Sequence, residues 1–120
     1  MPETPKPLDR MLAMWNEHDL SKVRGVIDEI FSEDVIFIDP ANSIVGHEAF
    51  EKMVREFRTR LPTAVCSHVS GFDTHHGLYR YHWEIHQGDE LLLSGFDVTQ
   101  IDPDGRVSRV EGFFGSIPEG

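Results

Sequence analysis

The chain has 120 residues, enough for one domain with a real core and too few for two. Its formal charge is −10, from 21 acidic against 11 basic residues, and such a field repels a phosphate backbone, so nucleic acid is excluded as a natural partner. The single cysteine, Cys66, forbids an internal disulfide, and no apolar run approaches the roughly 20 residues of a membrane helix. With no apolar leader in residues 1–7, these features predict a cytoplasmic protein with no membrane partner.

Residues 1–7 carry three prolines and predict a loose arm, with the domain running over 8–117. Leu8, Met11, Leu12 and Trp15 then recur at helical spacing, predicting a first helix that stops near Glu17 and His18. Asp19 or Ser21 is placed to cap a second helix, striped by Val23, Val26, Ile27, Ile30 and Phe31. Asp34–Asp39 is β-branched and aromatic and is stopped by Pro40, which predicts a short strand. Residues 41–46 form a predicted loop. A third helix follows from about Glu48 to Arg60, with Phe50, Met53, Val54, Phe57 and Leu61 on one side and Pro62 as its stop.

From Thr63 the texture changes to strands at 64–72, 77–86, 91–101 and 106–117, with turns at 73–77, 87–89 and 102–105. Helices first and an antiparallel meander afterwards predict an α+β fold, three helices on one face of a curved sheet. Run 77–86 puts Tyr79, Tyr81, Trp83 and Ile85 on one face and Arg80, His82, Glu84 and His86 on the other. A two-residue turn at Gly88-Asp89 pairs Arg80 with Asp97. A three- or five-residue turn gives one coherent face of Tyr79, Tyr81, Trp83, Leu93 and Asp97, and is preferred as the better hydrophobic match.

The histidines do not suggest a metal. His75 and His76 are adjacent, so in an extended segment they point opposite ways, and His82 and His86 sit too far apart along a strand. No metal or other cofactor is expected, His75-His76 read as a solvated turn, and His68, His75 and His76 stay open as general acids or bases. Cys66 reads as a small core residue, and the glycines are too dispersed for a phosphate cradle. Trp15, Phe57, Tyr79, Tyr81, Trp83 and Phe114 are the candidate lining of a pocket for a flat apolar molecule.

Several short pieces carry a resemblance over about nine-tenths of the chain: Trp15-Asn-Glu-His-Asp19, Val35-Ile-Phe-Ile-Asp-Pro40, Gly46, Gly95-Phe-Asp97, Asp104-Gly105 and Glu111-Gly-Phe-Phe-Gly115. In order and spacing the chain resembles the SnoaL-like and ketosteroid-isomerase-like branch of the nuclear transport factor 2-like superfamily. That resemblance implies a cone-shaped fold around one ligand pocket. It also implies that Asp39, before Pro40, is a general base and that Asp97, eight residues before Gly105, is a protonated oxyanion donor. The isomerase's oxyanion tyrosine falls near Met11, so the resemblance brings no tyrosine there. The alternative reading is that Asp39 caps its turn and Asp97 pairs with Arg80 or a backbone amide. The expected activity is cofactor-independent proton transfer on a small apolar cyclic or aromatic carbonyl compound, as in an isomerase, cyclase, lyase or dehydratase. The alternative is a binding or dimerisation module of the same fold, and relatives of this fold imply a homodimer through the convex sheet face.

Overall fold

The computed structural model describes residues 3–120. Helix α1 (Lys6–Trp15) starts inside the segment expected to be a loose arm. Pro7 fits the first helical turn, where its missing N–H would have had no intrahelical partner. The arm therefore ends at Pro5, and its first two residues lie outside the described ones. A 3₁₀ turn at Leu20–Lys22 follows, capped by Asp19, whose carboxylate accepts from the Ser21 amide at 3.1 Å and hydroxyl at 2.6 Å.

Helix α2 (Val23–Ile30) leads directly into strand β1 (Phe31–Asp39). Phe31 was expected on the helical stripe but opens the strand. It is fully buried, so its apolar character satisfies either pattern, and the chain turns extended one residue earlier. The predicted loop at 41–46 contains a short edge strand, β2 (Asn42–Val45), paired antiparallel to β1. Helix α3 (His47–Arg60) buries Phe50, Met53 and Val54 as its spacing predicts.

The remaining strands are β3 (Val65–His68), β4 (Asp73–His75), β5 (Leu78–Gln87), β6 (Glu90–Ile101) and β7 (Val107–Phe114). The run expected at 64–72 stops at His68, and the expected turn at 73–77 contains β4. The sheet order is β2-β1-β7-β6-β5-β3, with β4 also on β5. Every pairing is antiparallel except β1 with β7, which run parallel and bring the first strand beside the last. The core between helices and sheet holds Leu8, Met14, Ile27, Phe31, Phe50 and Val110, all nearly inaccessible. No described helix is long and apolar enough to cross a membrane.

The β5–β6 hairpin settles the register in an unexpected way. Gln87 pairs with Glu90, so the turn is the tight two-residue one. Yet Tyr81 pairs with Asp97 and Trp83 with Gly95, as the longer turn would have required. A bulge reconciles the two: His86 faces Leu91 while Ile85 faces Leu93, leaving Leu92 as an extra residue. One inserted residue flips the parity of everything beyond it.

Strand β3 is the sheet's outer edge beside α1, and Asn16 at the end of α1 secures it. Its side-chain amide donates to the Cys66 carbonyl and accepts from the Cys66 amide, both at 2.8 Å. The amide thus stands in for a neighbouring strand and covers part of an open edge. Arg58, 3 % exposed, joins the same corner by donating to the carbonyls of Trp15, Pro62 and Ala64.

Candidate functional site

The parallel pairing of β1 with β7 places Ile38 beside Glu111, and β6 with β7 places Asp97 beside Gly112. Asp39, one residue on from Ile38, therefore reaches the other side of Gly112. A methyl group at Gly112 would meet Asp97 Oδ1 at 2.9 Å and Asp39 Cβ at 3.3 Å. Glycine in mid-strand leaves the space in which the two carboxylates approach each other.

Each carboxylate is held differently. Asp39 Oδ1 accepts from the Ala41 amide at 2.8 Å and the Asn42 side chain at 3.0 Å, so the turn-capping reading of Asp39 is realised. Both bonds fall on Oδ1 and leave Oδ2 with no protein donor among the described residues. Asp97 Oδ1 accepts from the Trp83 indole N–H at 2.8 Å. Arg80, one alternative partner for Asp97, lies on the opposite face and pairs with Asp73 at 3.0 Å.

Asp97 is therefore a carboxyl without a cation among the described residues. Burial pushes it up from 3.8 to about 7; the Trp83 N–H opposes this and the nearby Asp39 charge adds to it. It is nevertheless partly accessible, because protein crowds the carboxylate while one side stays open. Around neutral pH the group is divided between acid and carboxylate, which suits proton transfer.

Trp83 owes its position to Gly95, its partner on β6. A Cβ there would meet Trp83 Cζ2 at 2.5 Å and would collide with the Phe113 carbonyl oxygen. The indole lies against this bare strand, with the Phe114 ring edge-on at 5.9 Å. Trp83 and Phe114 thus form an apolar wall next to Asp97. Tyr81 also faces Asp97 across the hairpin, but its hydroxyl is committed to Thr99 Oγ1 at 2.8 Å, and burial raises its pKa strongly.

The other aromatic candidates are placed elsewhere. Trp15 and Phe57 pack at 5.4 Å between ring centres, with Phe37 and Phe50 close to Trp15, and so fill the helix side of the core. Tyr79 packs on Phe72 at 5.6 Å. A surface hollow of about 620 Å³ lies on the outer side of α3 among Glu51, Lys52, Arg55 and Glu56. It is charged and shallow, far from what an apolar ligand needs. A second hollow of about 230 Å³ lies beside Glu17, His18 and Pro62.

Two expectations about side chains change. His75 and His76 do not point opposite ways: His76 takes a left-handed φ of 50°, and the two Nδ1 atoms meet at 3.3 Å. They remain exposed, and among the described residues no group of three metal-ligating side chains exists. Cys66 is a half-buried thiol whose pKa burial pushes up to about 11, so it is a poor nucleophile. Sequence reasoning gave no role to Asn42, and Gly95, Gly112 and Asn16 entered it only as parts of the pieces that carry the resemblance. Isolated glycines inside strand patterns were the available sign for Gly95 and Gly112.

The comparisons with known proteins match this architecture. The model of the SnoaL-like domain matches residues 8–110. No curated protein matches the chain. Among solved structures, a proposed isomerase of the SnoaL-like family from Agrobacterium tumefaciens superposes with a TM-score of 0.85 at 24 % identity, covering 92 % of this chain and 95 % of that one. A nuclear-transport-factor-2-like protein of unknown function from Exiguobacterium gives 0.76 at 16 %, covering 93 % and 100 %. A proposed polyketide cyclase from Sinorhizobium meliloti gives 0.73 at 14 %, covering 91 % and 94 %. At these identities the likeness shows the fold, a cone of the nuclear transport factor 2-like kind. The family rests on the domain match across most of the chain, and the protein belongs to the SnoaL-like family.

Proposed function

We propose that the protein is a cofactor-independent proton-transfer enzyme of the isomerase, cyclase or lyase kind, acting on a small apolar cyclic or aromatic carbonyl compound. The observation that carries this reading is the pair Asp39 and Asp97 meeting across Gly112, with burial holding Asp97 near neutrality. The Asp39 carboxylate takes a proton from the carbon next to the carbonyl, and the electron pair of that C–H bond moves onto the oxygen. Asp97 in its protonated form donates a hydrogen bond to that oxygen, and the proton returns at carbon to complete the turnover. Trp83 and Phe114 hold the flat apolar body of the substrate. The proposed isomerase and proposed cyclase of similar fold support the same class.

The test is exchange of the α-hydrogens of 2-tetralone, an apolar bicyclic ketone, in deuterated water followed by NMR. The protein is expected to accelerate exchange, and Asp39→Asn or Asp97→Asn to slow it by about 100-fold, a loss of about 3 kcal/mol in transition-state stabilisation. Equal rates in parent and variants would refute the assignment.

The convex face supports the proposal of a homodimer. Phe113 is 54 % exposed and stacks on Phe96 at 5.0 Å, with exposed Val45 and Val65 on the same face. An exposed aromatic pair on the two central strands, β6 and β7, fits a second copy of itself. Light scattering is expected to give twice the chain mass, reverting to one chain mass in Phe113→Lys; a monomeric parent protein would rule the pairing out.

A further inference from the structure

His68 lies on β3 opposite Trp83, so its side chain shares the helix-facing side of the sheet with Trp83, Tyr81 and Asp97. Its ring rests on Tyr81 with 4.6 Å between centres. The Asn16 clamp on Cys66 fixes the strand that carries it. The ring is half-buried, yet neither nitrogen has a hydrogen-bond partner among the described residues. Neither nitrogen is fully enclosed, so this imidazole presents one donor and one acceptor to something that is not protein.

We propose that His68 is a second recognition group of the concave face, and that the ligand is a ring compound with a hydroxyl or carbonyl at each end. This rests on the reading above, in which the Asp39 and Asp97 end holds the first oxygen. Strands lie about 4.8 Å apart and residues about 3.3 Å apart along them, so the His68 and Asp97 Cα atoms are roughly 12 Å apart. That span suits a molecule of two fused rings lying beside the partly buried Trp83 between the two polar ends. Burial lowers the pKa of His68, with Asp9 on α1 acting the other way, so the ring is neutral and can give or take a hydrogen bond. The other titratable group facing it is Tyr81, whose hydroxyl is already bound to Thr99.

Calorimetric titration with naphthalene-2,6-diol and with 2-naphthol separates the two ends. The parent protein is expected to bind the diol about tenfold more tightly, the effect of one added hydrogen bond. His68→Phe, which keeps the ring on Tyr81, should lose that preference and retain 2-naphthol binding, and His68→Gln should recover part of it. Asp97→Asn should weaken both ligands alike. Equal affinity of the parent protein for the two probes, or binding of neither, overturns the role of His68. Unchanged binding of both in Asp97→Asn would remove the carboxylate reading instead, and the proposal with it.

Discussion

The Asp97→Asn variant is expected to unfold at higher urea concentration than the parent protein near pH 8, by roughly 3 kcal/mol. The sign follows from the direction of the shift. Asp97 titrates near 7 in the folded chain and near 3.8 when unfolded, so the folded state binds the proton more tightly. Its favourable contribution is complete below the unfolded value and is lost as pH rises from there through about 7. Above that, the folded protein carries a charge it solvates poorly, and the neutral amide of asparagine removes the cost while still accepting from Trp83. The expected gain is set below the full linkage value because the carboxylate keeps some contact with water. Urea titrations near pH 4 and pH 8 check it: parent and variant should converge in acid and separate in base. Coincident curves at both would show that Asp97 is ordinarily solvated.

Gly95→Ala is expected to destabilise the fold by about 3 kcal/mol, a large effect for one methyl group. The obstacle is partly the Phe113 carbonyl, which is backbone and hydrogen-bonded in the sheet, and partly the Trp83 ring. The ring can swing away but loses the bond to Asp97 when it does. Near-ultraviolet circular dichroism should therefore change together with the urea midpoint. A loss of less than about 1 kcal/mol would mean that strand and indole adapt easily, and that Gly95 does not set the position of Trp83.

The sequence made some of this readable and hid the rest for definite reasons. The face shared by Tyr81, Trp83 and Asp97 followed from alternation of apolar residues, which is a local pattern. The length of the turn that produces it did not, because the bulge at Leu92 compensates a turn of the other parity. The three helices came from spacing, but Phe31 was misplaced because a fully buried residue at a helix–strand junction obeys both periods. β2 was missed since a four-residue edge strand of Asn, Ser, Ile and Val carries almost no periodic pattern. The meeting of Asp39 with Asp97 depends on β1 pairing in parallel with β7, a contact between distant parts of the chain that no window of sequence contains. It was reached only through resemblance to a family. The opposed orientation expected for His75 and His76 failed because it assumed extended backbone where His76 turns left-handed.

The bulge at Leu92, rather than the length of the turn, decides which side of β6 carries the carboxylate. Substitutions anywhere in the Gln87–Glu90 turn leave the parity of β6 untouched. Pairing Leu92 into the ladder, with the bulge lost and no residue removed, would exchange the two sides of the strand, sending Asp97 outward opposite Arg80 and drawing Phe96 and Val98 inward, whereas deleting Leu92 would keep Asp97 opposite Tyr81. The slip brings two apolar side chains inward, so the chain could still bury a core while losing its acid. Within this fold, a one-residue register slip in one hairpin is therefore a short route to a cone that has lost the Asp39–Asp97 pair, and relatives should be inspected for the bulge before any carboxylate is equated with Asp97.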